Sequence, residues 1–129
     1  MSSIFSKIIS GELPCYKVAE NDSFFAFLDI MPLREGHVLV IPKKETDFIF
    51  DMEDEELAQF ILFAKQVAHK MKKVLPCKRI GMTVIGLEVP HAHIHLIPID
   101  KIDDMNFSAK KLSLEPNRLQ EIALLIKEA

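Results

Sequence analysis

The stretch from Met52 to Leu75 restricts the possible folds more than any other part of this chain. Leu57, Phe60, Ile61, Ala64, Ala68, Met71 and Leu75 recur there at three- and four-residue steps, which predicts one long helix with a single core-facing stripe. Asp51, Glu53, Asp54, Glu55 and Glu56 crowd its start and Lys70, Lys72 and Lys73 its end, matching the partial charges of the helix dipole at both poles. Pro76 closes it. His69 falls off the stripe and is expected to be exposed.

A helix that buries one stripe needs a partner layer, and the chain offers only short apolar runs for it. YKVAEN (16–21) and SFFAFLDI (23–30) meet at the polar pair Asn21-Asp22, which is hairpin composition. In HVLVIPKK (37–44) four apolar residues follow one another, so both faces of that strand are expected to be covered. KRIGMTVIG (78–86) supplies a fourth strand, and the run opened by Pro90 and ended by Pro98 a fifth. IFSKIISGELP (4–14) reads as one or two helical turns with Phe5, Ile8 and Ile9 to one side, and EPNRLQEIALLIKEA (115–129) as a helix through Leu119, Ile122, Leu125 and Ile126. The expected class is α+β: an antiparallel five-stranded sheet, one long helix and short terminal helices.

With 129 residues, 49% apolar and 27% charged, the chain is expected to form one domain over 1–129, with a core at 4–100 and a C-terminal extension carrying a helix at 101–129. A net charge of -3 gives no global attraction for nucleic acid, so any phosphate must be met by local donors. The start, MSSIFSKIISGELP, lacks the apolar run of a signal peptide, and nothing approaches the ~20 apolar residues needed to cross a bilayer. No membrane partner and a cytoplasmic location are expected. Cys15 and Cys77 have no Cys-x-x-Cys spacing, which fits free thiols in a reducing compartment.

VPHAHIHLIPI (89–99) holds three of the five histidines. On a strand His91, His93 and His95 share one face while Ala92, Ile94 and Leu96 fill the other. Packing alone does not account for that row. Along a straight strand the outer two lie ~13 Å apart, and zinc–nitrogen bonds are only ~2.0–2.1 Å, so one ion does not easily gather all three. A two-histidine site would need further ligands, and no second cluster is visible; neither a metal nor a cofactor is expected. Phosphoryl transfer needs a nucleophile, stabilisation of charge on oxygen and a proton for the leaving atom, and imidazoles supply all three. A nucleophilic nitrogen must be unprotonated, so the other nitrogen of that ring should donate to a fixed acceptor such as a backbone carbonyl. Spacing does not name the ring, though centrality favours His93.

These residues resemble the histidine triad (HIT) family, whose signature is His-φ-His-φ-His-φ-φ with φ apolar; here it reads His91-Ala92-His93-Ile94-His95-Leu96-Ile97. The likeness extends in order over IFSKIISGELPCYKV, FFAFLDIMPL and EGHVLVIPKK, within residues 4 to 98, and is greatest to the Hint-like branch of small nucleotidyl hydrolases. It implies a homodimer that splits purine nucleoside phosphoramidates and related adenylates through a nucleotidyl-histidine intermediate. By motif position it implies His93 as nucleophile at the α-phosphorus, His95 as a phosphate contact, and His91 with His37 as the pair that orients the nucleophile. Asp29 would accept hydrogen bonds from the ribose hydroxyls. Phe5, Ile8, Phe27, Ile30 and Leu39 would form the apolar slot for the base, although each also suits plain core.

The sequence departs from the family pattern in several places. Gly86-Leu87-Glu88-Val89 stands where Gly-Gln-Ser/Thr-Val is common, which implies that Glu88 and Val89 bind nucleotide with Glu88 near the leaving group; Glu88 would either repel an anionic product or hold an amine. No asparagine is evident around Val84-Ile85. Some bacterial relatives bind structural zinc through Cys-x-x-Cys near the start, but Ser3 and Ser6 occupy those places and Glu45 stands where histidine is frequent, so that zinc is not expected. His95, where the uridylyltransferase branch has glutamine, argues for hydrolysis. The alternatives are a dinucleoside polyphosphate hydrolase of the Fhit-like branch, a nucleotide- or partner-binding module with little turnover, and a metal-binding protein.

Overall fold

The computed structural model of the protein describes residues 3–129. Strands β1 (Lys17–Glu20) and β2 (Phe24–Leu28) form the expected hairpin, turned by Asn21, whose Oδ1 accepts from the backbone N–H groups of Ser23 and Phe24 at 2.9 and 2.7 Å. β3 (Val38–Pro42) pairs with β2, β5 (Ile94–Ile99) with β3, and β4 (Arg79–Thr83) lies at the far edge. The sheet is antiparallel throughout, in the order β1-β2-β3-β5-β4. Helix α2 (Asp54–Val74) fills the long connection between β3 and β4, with Asp54, Glu55 and Glu56 in its first turn and Lys72 and Lys73 in its last. Terminal helices α1 (Ile4–Ile9) and α3 (Pro116–Glu128) complete the α+β architecture. No helix among the described residues is long and apolar enough to cross a membrane.

Alternation along the strands divides the core into two layers. Phe24, Ala26, Leu28, Val38, Val40, Ile94 and Leu96 join α2 and α3 in the larger cluster, where Phe24 stacks on Phe60 at 5.4 Å. Phe25, Phe27, Leu39 and Ile41 point the other way and meet Phe5 of α1. β3 is therefore buried on both faces, as its unbroken apolar run requires.

Three expectations need correction. The buried stripe of α2 runs through Phe60, Phe63, Ala64, Val67 and Met71, while Ile61 is exposed and Leu57 and Ala68 only partly covered. The helix carries two overlapping apolar diagonals, and the contacts of Phe24 with both Phe60 and Phe63 select one. In α3 the same effect exposes Leu125 and buries Ala123. The fifth strand starts at Ile94 rather than at the beginning of the histidine row. Pairing with β4 runs only to Thr83 opposite His95, and upstream of it the backbone bonds elsewhere: His91 N–H to Val89 C=O at 2.8 Å, and Ala92 N–H to Thr46 C=O. The sidedness survives without the ladder, since Ala92 joins the helix-side core.

Gly36 immediately precedes His37 and has φ +93°, and a Cβ added there would lie 2.5 Å from Leu75 Cδ1. Left-handed strain and overpacking act together, so Gly36→Ala is expected to destabilise the fold by roughly 1–3 kcal/mol. Urea denaturation should show a lower midpoint at unchanged m-value; an unchanged midpoint would mean that the 34–37 turn relaxes freely.

Candidate active site

The α1 side of the sheet carries two cavities that share Asp29. One, of about 170 Å³, is lined by Phe5, Ile8, Phe27, Ile30 and Leu39, so the five residues proposed for an apolar slot do lie around one space. The other, of about 260 Å³, is lined by Asp29, His37, His93, His95 and Glu88, with Lys111 from the C-terminal segment. Asp29 Oδ1 accepts from Met31 N–H at 2.9 Å, which aims the carboxylate at the junction of the two.

The hydrogen bonds around the histidines assign their protons. His93 Nδ1 lies 2.8 Å from the carbonyl oxygen of His91. A carbonyl only accepts, so Nδ1 carries the hydrogen and Nε2 of the neutral ring holds a lone pair. Among the described residues nothing hydrogen-bonds Nε2 and no buried side-chain nitrogen or oxygen lacks a partner, so this nitrogen opens on the cavity. A second chain begins at Leu33, whose backbone N–H donates to His37 Nδ1 at 3.1 Å. The proton of neutral His37 is therefore at Nε2, which donates to His95 Nδ1 at 3.0 Å, leaving His95 with its N–H on Nε2, the free edge of the ring. The cavity thus receives one lone pair, from His93, and one N–H, from His95; their ring centroids are 4.9 Å apart.

Burial holds His37, His91 and His95 below the ordinary imidazole range. It pushes His37 down to about 3, with the neighbouring His95, Lys111 and His93 acting in the same direction. His95 is pushed down to about 4 by burial and then by His93. His91 is lowered by burial, against the opposing pull of the Pro42 carbonyl and Glu45. Asp29 is raised by burial, which outweighs its bond from Met31 and the charge of Lys111. Asp29, His37 and His95 bring metal-ligand atoms within 4.8 Å of one another, but the His37 proton and the His95 lone pair are already committed to each other.

His91 meets His93 through its backbone and not its ring. Its ring is fully buried and turned away from the cavity: Nε2–H donates to Pro42 C=O at 2.8 Å, and Nδ1 lies 2.7 Å from the Ser3 hydroxyl. What it presents to His93 is its backbone carbonyl. His37 is not paired with it and sits on His95 instead. Ser3 and Ser6 both bond Glu45, and Ser3 Oγ accepts from Ser6 N–H as the N-cap of α1. Ser3 reaches Glu45 through its backbone N–H and Ser6 through its hydroxyl, and neither side chain supplies the thiolate that a structural zinc ion prefers. Val89 packs with the Phe5 cluster, whereas Glu88 lines the histidine cavity.

Sequence reasoning missed Phe107, Ser108 and Lys111, which wall the cavity from an irregular segment. Phe107 meets His95 edge-on at 4.8 Å. Leu112 N–H donates to Pro32 C=O at 2.8 Å, and Arg34 pairs with Asp100 at 3.0 Å and with Asp104, so the segment packs on its own chain. No periodicity marks these residues; only the adjacent Lys110-Lys111 hints at them.

An antiparallel sheet presenting a buried histidine pair and a bonded third ring beside an apolar slot defines a class of small α+β proteins. The family model for the HIT domain matches residues 10–102, and the chain belongs to the HIT family. A HIT-like protein of Borreliella burgdorferi is 37% identical over 131 residues, covering 95% of this chain and 94% of that one. Adenosine 5'-monophosphoramidase HNT1 of Saccharomyces cerevisiae is 41% identical over 96 residues, 74% of this chain and 61% of its own length. The crystal structure of a HIT-like protein from Bartonella henselae superposes with TM-score 0.84 at 31% identity, covering 98% of this chain and 95% of that one.

Because His37 and His95 sit at about 3 and about 4 when folded, against 6.5 for a free side chain, the unfolded chain takes up protons that the folded chain refuses. Their contribution to stability is complete above about pH 6.5 and is lost as the pH falls toward the folded values. The thermal midpoint is expected to decline below about pH 6.5, and less steeply in His37→Gln. Equal slopes in the two proteins would contradict the assignment of a neutral His37.

Proposed function

We propose that the protein is a hydrolase that cleaves purine nucleoside phosphoramidates or related adenylates through a nucleotide bonded to His93. The observation that carries this reading is the bond from His93 Nδ1 to the His91 carbonyl, which leaves Nε2 as a lone pair on the cavity. The base enters the slot of Phe5, Ile8, Phe27, Ile30 and Leu39, and Asp29 at the junction accepts from the ribose hydroxyls. His93 Nε2 attacks the α-phosphorus while His95 Nε2–H donates to a non-bridging oxygen, where charge builds. The P–N bond breaks and the nitrogen departs as an amine with a proton taken from water. Glu88 offers a carboxylate to hold that amine. Water then attacks phosphorus, releases its proton to solvent and frees the nucleoside monophosphate, restoring the neutral ring. The name of the Saccharomyces cerevisiae relative, a monophosphoramidase, supports this substrate class.

A homodimer in the cytoplasm belongs to the same reading. β4 is an unpaired sheet edge, Met82 on it is 54% exposed, and Phe48, Phe50, Ile61 and Ile85 line an apolar hollow beside it. Unpaired edges and apolar patches of this kind are usually covered by another chain. Sedimentation equilibrium should give twice the chain mass, and Met82→Glu should shift it toward the monomer.

Mass spectrometry of enzyme quenched while turning over adenosine 5'-phosphoramidate should find one adenylyl group on the peptide holding His93. His93→Ala should lose both the adduct and the hydrolysis, and Glu88→Ser should lower the preference for amine over phosphate leaving groups. Nucleotide binding with no turnover in wild type would instead identify a binding module.

A further inference from the structure

Resting on the reading above, the charge inventory of the histidine cavity raises a further question. Its walls hold two carboxyl groups, Asp29 and Glu88, while burial keeps His37 and His95 uncharged near neutral pH. An anionic phosphoryl group entering such a space meets the His95 N–H but no positive charge from His37 or His95. Among the described residues Lys111 is the single lysine or arginine on the wall. It lies outside the family-matched residues 10–102, so the HIT domain as such does not account for it.

Lys111 is also held in place. Its ammonium donates to the carbonyls of Phe107 at 2.6 Å and Ala109 at 3.2 Å. An ammonium has three N–H donors, so one remains for another partner. Among the described residues no carboxylate forms an ion pair with it. The loop that carries it is pinned by Phe107 on His95 and by Leu112 on Pro32. A flexible surface lysine would lose much side-chain entropy on binding an anion, whereas one already tied to two carbonyls loses less.

We propose that Lys111 is a substrate-binding residue that contacts the phosphate of the nucleotide, and that residues 107–111 form a built wall of the site. A charge-assisted bond is roughly twice as strong as a neutral one.

Isothermal titration of the full chain with AMP and with adenosine, in wild type, Lys111→Gln and Lys111→Arg, tests this. Wild type should bind AMP more tightly than adenosine. Lys111→Gln should weaken AMP by about tenfold or more and leave adenosine unchanged, and Lys111→Arg should recover most of the loss. AMP affinity within about twofold of wild type in Lys111→Gln, or an equal loss for AMP and adenosine, overturns the proposal and leaves the lysine as packing of the tail. If wild type binds AMP no better than adenosine, the nucleotide reading of the whole site falls, and this proposal with it. The two failures are thereby distinguishable.

Discussion

The 2.8 Å hydrogen bond between His93 Nδ1 and the His91 carbonyl sets the chemistry available to the site. An imidazole near neutral pH has two tautomers, and only one leaves a lone pair on Nε2. A carbonyl cannot donate, so it selects that tautomer whatever the substrate does. The geometry follows from the chain leaving the sheet: had His91 to His93 continued as a strand, the His91 carbonyl would have been available to a ladder partner. Its release upstream of Ile94 frees the backbone to act on a side chain two residues along.

Beside this bond lies a second arrangement, an N–H donor on a ring that burial keeps uncharged. His37 and His95 are neutral because burial opposes protonation, and the N–H from Leu33 fixes the direction of the hydrogen-bond chain. Reversing it would set two N–H groups against each other, at a cost comparable to losing a buried hydrogen bond. The result is an N–H aimed from His95 toward the cavity whose orientation does not depend on a bound ligand. Donors fixed in this way require little reorganisation when charge develops.

Much of this was legible from the sequence, and the failures have physical causes. The sheet, the hairpin at Asn21 and the dipole-matched α2 follow from local composition, which the tertiary structure did not override. The slot residues Phe5, Ile8, Phe27, Ile30 and Leu39 came from family likeness, and the structure lines one cavity with them. Choosing Ile61 over Phe63 was an error of azimuth: both diagonals satisfy helical spacing, and only the position of Phe24 decides between them. Sequence order does not say which ring of the row a residue just before β3 will meet. The register sets Leu39 opposite His95, and His37, two residues earlier, reaches the same ring. Lys111 was invisible because an irregular segment has no period to read.

The N-terminal cluster touches residues of both cavities. Ser3 bonds the ring of His91, caps α1 through Ser6, and is tied to Glu45. Phe5, two residues on, lines the apolar slot and meets both His91 and His93 edge-on, at 5.8 and 5.0 Å. The helix that walls the apolar cavity is therefore fastened to the residue whose carbonyl orients His93. α1 has only six residues, too few to be stable alone in water. Its position must come from these contacts and from burial of Phe5, not from helix propensity. One buried imidazole therefore touches both the short helix that walls the apolar cavity and, through its own backbone carbonyl, the ring whose tautomer is set.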